Sequence, residues 1–225
     1  MELYRAFGNL TIATFEGYIG STIFFSILLA VLAIVTGTGM LAGEEEAGTL
    51  ELQLALPLAR RQLVTAKTLE LAAIGFIVLV VAGLAATGIF LAIRDRLTTS
   101  LDAGDLFRAT IAHWPPVWLF QTLSLWLGTV TPSRRIALAI ATVLLIVSFP
   151  GYNLVGMSPD LEWLRPFSPF HYLPVTPETL NDGPALGDLA ILTVMAPVWY
   201  GLAVMSFDRR DVTVGAWPWV RWMSR

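Results

Sequence analysis

Long stretches without a charged residue dominate the pattern of apolar and polar positions in this chain. A helix needs about 20 consecutive apolar residues to cross the hydrocarbon core of a bilayer, because each residue advances it by about 1.5 Å. Five stretches of roughly this length contain no Asp, Glu, Lys or Arg. They predict membrane-spanning helices at 19–41, 71–93, 109–130, 136–157 and 189–207. The predicted fold is an all-α integral membrane protein, a bundle with a single transmembrane domain over residues 1–225.

Prolines modify this prediction in three places. Pro115 and Pro116 interrupt the start of the third span, which is expected to begin with a short interfacial piece before the continuous run from Val117. Pro150 breaks the fourth span, so that helix is expected to bend or to end early. The segment 158–188 holds six prolines among several aromatic residues, which excludes a continuous α-helix. A folded cap or re-entrant hairpin at the outer surface is predicted there.

The composition agrees with a bilayer environment. Hydrophobic residues make up 56% of the chain and charged residues only 14%, whereas soluble domains carry about 25% charge. The net charge of -3 provides no basic surface, so nucleic acid is excluded as a partner. With no cysteine, disulfides, thiolate metal sites and cysteine nucleophiles are excluded as well.

The distribution of Lys and Arg over the connecting segments predicts the orientation, because cytoplasmic loops carry an excess of these residues. One alternate set of segments holds nine of them: Arg60, Arg61, Lys67, Arg134, Arg135, Arg209, Arg210, Arg221 and Arg225. The other set holds five: Arg5, Arg94, Arg96, Arg108 and Arg165. The first set is expected inside, which places the C-terminus in the cytosol. The tail GAWPWVRWMSR, rich in tryptophan, is expected to lie on the membrane.

The segment 43–67, between the first two spans, is the most informative part of the chain. Its leucines alternate as in a strand, but its Glu, Gln and Ala content favours helix, and a lone strand would leave its edges unpaired. Helix is predicted, broken at Pro57, which then opens a second short helix and leaves Arg60 and Arg61 exposed. Such a helix-turn-helix elbow either binds a partner or marks the water side of a loop, and spacing alone leaves both open.

At this segment the sequence resembles the permease subunits of type-2 ABC exporters, the ABC-2 type transporter permeases. The resemblance lies in LAGEEEAGTLELQLALPLARRQLVTAK, SPFHYLP and MSFDRRDV, in that order within 17–212. It implies a permease of a prokaryotic cytoplasmic (inner) membrane that pairs with a second copy or a paralogue. It also implies a separate ATP-binding subunit that carries the ATP and Mg, with no cofactor on this chain. The family usually has six spans, so either its first helix would lie before Met1 or this chain is a shortened member.

The resemblance also implies roles for individual residues. The cytoplasmic elbow that couples to the ATPase subunit would be formed by Glu44, Glu45, Glu46, Gly48, Thr49, Glu51, Pro57, Arg60 and Arg61. Three residues would close the last helix at the cytosolic surface: Asp208, Arg209 and Arg210. For the two arginines, simple anchoring by positive charge is the competing interpretation.

Motifs of catalysis are absent from the sequence. ATP binding would need a GxxxxGK[ST] loop, but the only lysine, Lys67, does not occur in one. Neither histidine lies in HExxH, and no GxSxG motif is present. The chain is therefore predicted not to be an enzyme. The rival interpretation is a non-transporting membrane scaffold that uses the same elbow to hold a soluble protein.

Two pairs of small residues lie four positions apart in the first span. They are Ala33 with Gly37 and Gly39 with Gly43, a spacing that lets helices approach closely in lipid. Either a dimer interface or packing within one subunit is expected there. Near the start of the second span, Glu70 is expected to pair with Lys67, three residues earlier.

Overall fold

The computed structural model describes residues 23–155, 159–172, 183 and 185–210, and every regular element in these ranges is helical. The α-helices there are α1 (Ile23–Thr38), α2 (Glu44–Glu46), α3 (Thr49–Leu54), α4 (Arg60–Ile93), α5 (Ala103–Ile111), α6 (Trp114–Val130), α7 (Arg134–Val155) and α8 (Leu186–Asp208). A π-helical turn, Gly39–Gly43, continues α1, and 3-10 turns occupy Arg94–Arg96, Pro159–Phe167 and Pro169–His171. The all-α prediction is confirmed. The tryptophan-rich tail lies outside the described residues.

A helix lies at each of the five predicted spans. Within the described residues, three segments are long and apolar enough to cross a membrane: Ser26–Glu46, Arg60–Arg96 and Leu186–Asp208. The second begins eleven residues before the predicted span, because α4 continues without interruption from the elbow into the apolar run. Helices α6 and α7 stay predictions as membrane spans.

Proline affects these helices less than expected. Helix α6 begins at Trp114, three residues before Val117, because Pro115 and Pro116 occupy its first turn, where the backbone N–H that proline lacks has no helical partner. Helix α7 runs on through Pro150 to Val155, so it does not end early. In the predicted segment 158–188, the described residues form 3-10 turns at Pro159–Phe167 and Pro169–His171, and α8 begins only at Leu186. The segment is therefore not a continuous α-helix, as predicted.

Helix α6 is the centre of the bundle and packs against α1, α4, α7 and α8. Its contact with α1 is especially close. A Cβ atom on Gly37 would lie 2.5 Å from the carbonyl oxygen of Gln121 and 2.8 Å from Cβ of Ser124. Ala33, one turn earlier, is fully buried in the same core. The pair Ala33 and Gly37 therefore packs within the subunit.

The outer surface of the bundle is apolar. Large aliphatic side chains on α4, α7 and α8 are exposed, as a surface that faces lipid requires. They include Ile77, Val81, Leu84, Val143, Val147 and Val194. These side chains fit an integral membrane protein.

The helix ends gather at two opposite ends of the bundle. At the elbow end, α1, α6 and α8 finish, and α4 and α7 begin. A hydrogen bond of 3.1 Å from Arg210 to the carbonyl of Gly128 joins the ends of α8 and α6 there. At the far end, Ser168 donates to the carbonyl of Ser148 over 3.0 Å. The described members of the two predicted sets of Lys and Arg lie at these separate ends. The side of the membrane that each end faces stays a prediction.

Candidate functional site

The predicted elbow over 43–67 is helical and is broken at Pro57, as predicted, but it has a further break at Gly48. Below, the elbow denotes residues 43–59, the part that precedes α4. Helix α2 gives way to α3 at Gly48, whose φ of 72° is the left-handed conformation that glycine adopts without steric cost. The second break precedes Arg60, where the backbone N–H of Ala59 donates to Oε1 of Gln62 over 3.0 Å. The prediction that Pro57 opens a short helix was wrong. Pro57 lies in the non-helical connection, since the capping contact fixes the helix start after it.

The inner side of the elbow is anchored by one leucine. Leu50 on α3 is completely buried in a core cluster with Leu41 of the π-helical turn after α1, Val64 of α4 and Phe207 of α8. Burial of a leucine side chain contributes about 1.5 to 3 kcal/mol. This contact holds the elbow against the ends of three long helices.

Three consecutive glutamates of α2 reach three different helices. Glu44 accepts from Nζ of Lys67 on α4 over 2.5 Å. Glu45 pairs with Arg210, after the end of α8, over 2.7 Å. Glu46 accepts from the backbone N–H of Arg134, the first residue of α7, over 2.8 Å. The first turn of a helix has N–H groups without helical partners, so a carboxylate at that position stabilises α7.

Arg210, just after α8, joins α2 and α6. Its side chain is only 9% exposed, and it pairs with Glu45 while Nη1 donates to the carbonyls of Gly128 over 3.1 Å and Thr129 over 3.4 Å. Those carbonyls belong to the last turn of α6, where a cation is favourable. Burial lowers the pKa of Arg210, and the Glu45 carboxylate opposes this shift. The elbow is thereby tied to α6 and α8 together.

Arg60 is not exposed, contrary to prediction. It is half-buried, and Nη1 donates to the carbonyl of Phe207 over 3.2 Å and to the carbonyl of Arg210. Its guanidinium also lies 5.9 Å from the centre of the Phe207 ring. The carbonyls at the C-terminus of α8 attract this cation, so it turns inward. Arg61, the next residue, is exposed as predicted.

Arg134 fills the groove between the second pair of small residues. A Cβ atom on Gly39 or Gly43 would lie 3.3 Å or 3.4 Å from the Arg134 side chain. Its Nη2 also donates to the carbonyl of Val35 over 3.3 Å. Packing within the subunit is therefore observed at Gly39 and Gly43 as well. Sequence reasoning missed this contact, because Arg134 is far from α1 in the chain.

Other predicted site residues form the outward face of the elbow. We call this the docking face; it is exposed throughout and combines apolar with charged groups. The most exposed of its three leucines, Leu52, is 72% exposed. The docking face consists of seven elbow residues, Gly48, Thr49, Glu51, Leu52, Leu56, Pro57 and Leu58, together with Arg61 in the first turn of α4. Exposed leucines beside polar residues are typical of a protein-binding surface.

Two further predictions concern single side chains. Asp208 and Arg209 are exposed where α8 ends, whereas Arg210 is drawn into the bundle. Lys67 lies 4.0 Å from Glu70 but 2.5 Å from Glu44. The pair with Glu70 is thus the looser of the two. Glu44 was not foreseen as a partner, since 23 residues separate it from Lys67.

Comparison with known families identifies the family to which this chain belongs. The family model described as ABC-2 family transporter protein matches residues 1–212. Comparison with curated proteins gave no match. Permeases of this family are membrane subunits, not ATPases themselves, and normally pair with an ATP-binding subunit. The match covers nearly the whole apolar bundle and its elbow, and the chain therefore belongs to the ABC-2 family of transporter proteins.

Proposed function

We propose that this chain is the permease subunit of an ATP-driven exporter in a prokaryotic cytoplasmic membrane. Two permeases, either two copies or a copy and a paralogue, form the translocation pathway between them. The elbow end faces the cytosol and binds a separate ATPase subunit, which carries ATP and Mg²⁺. Conformational change in that subunit then shifts the permease between two states.

The observation that carries this proposal is the two-sided construction of the elbow. A coupling element has to present one surface to the ATPase and has to be fixed to the membrane helices by the other. The docking face supplies the first, with Leu52, Leu56 and Leu58 exposed beside Glu51 and Arg61. Buried Leu50 and the ion pairs of Glu44 and Glu45 supply the second. A loop that merely marked the water side would need neither.

The charges at the elbow end support a cytosolic location. Arg61, Arg135 and Arg209 are exposed there, and cytoplasmic segments are enriched in such residues. The C-terminus would then be cytosolic. The apolar walls of the long helices favour an apolar or amphiphilic cargo, because a charged cargo would need polar partners within the membrane.

Affinity purification of the tagged chain from its native membrane, in mild detergent, tests this function. We expect an ATP-binding protein to co-purify in stoichiometric amount and to hydrolyse ATP. Leu52→Glu and Arg61→Glu should each release it, because both change the docking face. Arg135→Glu is the matched control, since Arg135 is exposed at the same end but lies outside the elbow. Retention of the ATPase by both docking-face variants would refute docking through the elbow.

The scaffold remains the rival function and gives a different result in the same experiment. A stoichiometric partner without a nucleotide site, released by Leu52→Glu, would establish a scaffold that uses the docking face. The two functions therefore share a surface and differ in the partner.

A further inference from the structure

We propose that Arg210 is a positioning residue that transmits displacement of the elbow to α6 and α8. The inference rests on the proposed function, because it gives the route by which a docked ATPase moves the bundle. The juxtaposition that carries it is the guanidinium of Arg210 between the Glu45 carboxylate and the last carbonyls of α6. The residues of the docking face are exposed, whereas Arg210 lies between two elements of the bundle.

The three glutamate contacts differ in what they can transmit. Glu46 is exposed and caps the backbone of α7 through one hydrogen bond, which water can replace. Glu44 binds Lys67 on α4, but α4 already follows the elbow directly in the chain and moves with it. Glu45 is different, because its partner Arg210 lies 165 residues further along the chain. The chain itself therefore gives no short covalent connection between Arg210 and the elbow. The ion pair of Glu45 is the polar connection by which α2 reaches α8.

Arg210 also couples α8 to α6. Nη1 binds the carbonyls of Gly128 and Thr129, while the carbonyls of Phe207 and Arg210 themselves accept from Arg60. The two arginines thus hold the C-terminal ends of α6 and α8 next to the start of α4. A guanidinium suits this role, because its fixed fork of donors can bind a carboxylate and carbonyls at the same time. Lysine would keep the charge but not this geometry.

We call the contacts of Arg210 with Glu45 and with the last carbonyls of α6 the Arg210 tie. Spin labels test this tie without any partner, and the chain contains no cysteine that would compete for the label. One label goes on Glu51→Cys, an exposed position of α3, and the other on Val194→Cys, an exposed position of α8. Val194 lies about 21 Å along the helix from Asp208, which suits electron double resonance. In nanodiscs we expect a single narrow distance peak. Arg210→Gln should broaden it, whereas Arg209→Gln, a neighbouring exposed arginine, should not.

A double-mutant cycle separates the tie from a general loss of folding. Glu45→Gln should broaden the same peak, and Glu45→Gln with Arg210→Gln should broaden it no further, because both changes remove one interaction. Arg210→Lys serves as the milder variant if Arg210→Gln fails to fold, and it should broaden the peak less. An unchanged narrow peak in Arg210→Gln, or additive effects of the two changes, would overturn the proposal.

The readout specific to transmission uses the complex with its ATP-binding partner. Labels on Val143→Cys in α7 and Val194→Cys in α8, both exposed, should change their separation when a non-hydrolysable ATP analogue is added. In Arg210→Gln the partner should still co-purify while this change is lost. A bundle that still responds in Arg210→Gln would refute transmission through Arg210. If the wild-type chain retains no ATP-binding partner, the proposed function fails, while the peak width still decides whether the tie exists.

Discussion

Ion pairs at the two ends of the bundle differ in burial and in the distance along the chain that they bridge. At the elbow end, the side chains of Arg210 and Glu45 are 9% and 19% exposed, and they join the last helix to the first connection. At the far end, the side chains of Arg94 and Asp102 are 52% and 72% exposed, and they are eight residues apart. Both are ion pairs, but only the first connects helices distant in sequence.

This difference indicates how each end of the bundle is held. Exposed local pairs contribute about 0 to 1 kcal/mol, whereas breaking a buried pair leaves an uncompensated charge at a much larger cost. At the far end, aromatic packing accompanies the hydrogen bond from Ser168 to the carbonyl of Ser148, with the ring of Phe170 centred 6.2 Å from Phe120 and 5.3 Å from Phe149. Buried ion pairs between distant helices thus hold the elbow end, which is the end that we propose transmits movement from the ATPase.

The largest expected effect is that of Glu45→Gln. It removes the carboxylate partner of largely buried Arg210 and should lower the free energy of unfolding by about 2 to 3 kcal/mol, below the range for fully buried pairs because some solvent reaches Glu45. Reversible unfolding in mixed detergent and dodecyl sulfate micelles measures it. Glu162→Gln, an exposed carboxylate of the far end, is the control. Equal stability of both variants would contradict the role of burial.

Glu44→Gln should cost less, about 1 to 2 kcal/mol. Lys67 is partly buried and loses its closest partner, but Glu70 remains 4.0 Å away and can take its place. The same unfolding assay applies. With Glu70→Gln added, the loss should approach that of Glu45→Gln, since Lys67 would then have neither carboxylate. A double variant no less stable than Glu44→Gln alone would show that Glu70 offers no such compensation.

The sequence predicted the helices better than the contacts between their ends. Uncharged runs locate the long helices, because lipid imposes both length and apolarity on a span. Arg60 and Arg210 looked alike as surface cations, and only the folded chain brings them to the carbonyls of α8 and α6. The break at Gly48 was missed for another reason. Proline gives the stronger local signal, so the prediction selected Pro57 over a glycine inside a helix-favouring run.

A backbone effect of intermediate size is expected at Gly48, within the elbow. Gly48→Ala forces a side chain into the left-handed region and should lower the free energy of unfolding by about 1 kcal/mol. Gly48→Asn should be tolerated better, since asparagine visits this conformation more readily. Gly88→Ala, at an exposed position of α4 with open space around it, is the matched control. That change should leave stability equal or higher, because alanine favours helix.

The smallest effect is expected at the far end, for Arg94→Gln. Its partner Asp102 is largely exposed, so water replaces the lost interaction and the free energy of unfolding should change by less than about 0.5 kcal/mol. The unfolding assay used for Glu45→Gln measures it, and raising the salt concentration should reduce even this effect, since exposed charges are screened. Asp102→Asn should lose slightly more, because Asp102 also precedes the first turn of α5. A loss of stability from Arg94→Gln as large as that from Glu45→Gln would mean that the two ion pairs do not differ in strength, despite their different burial and sequence separation. Ion pairs would then stabilise both ends equally, and the comparison would no longer support a role of the elbow end in transmission.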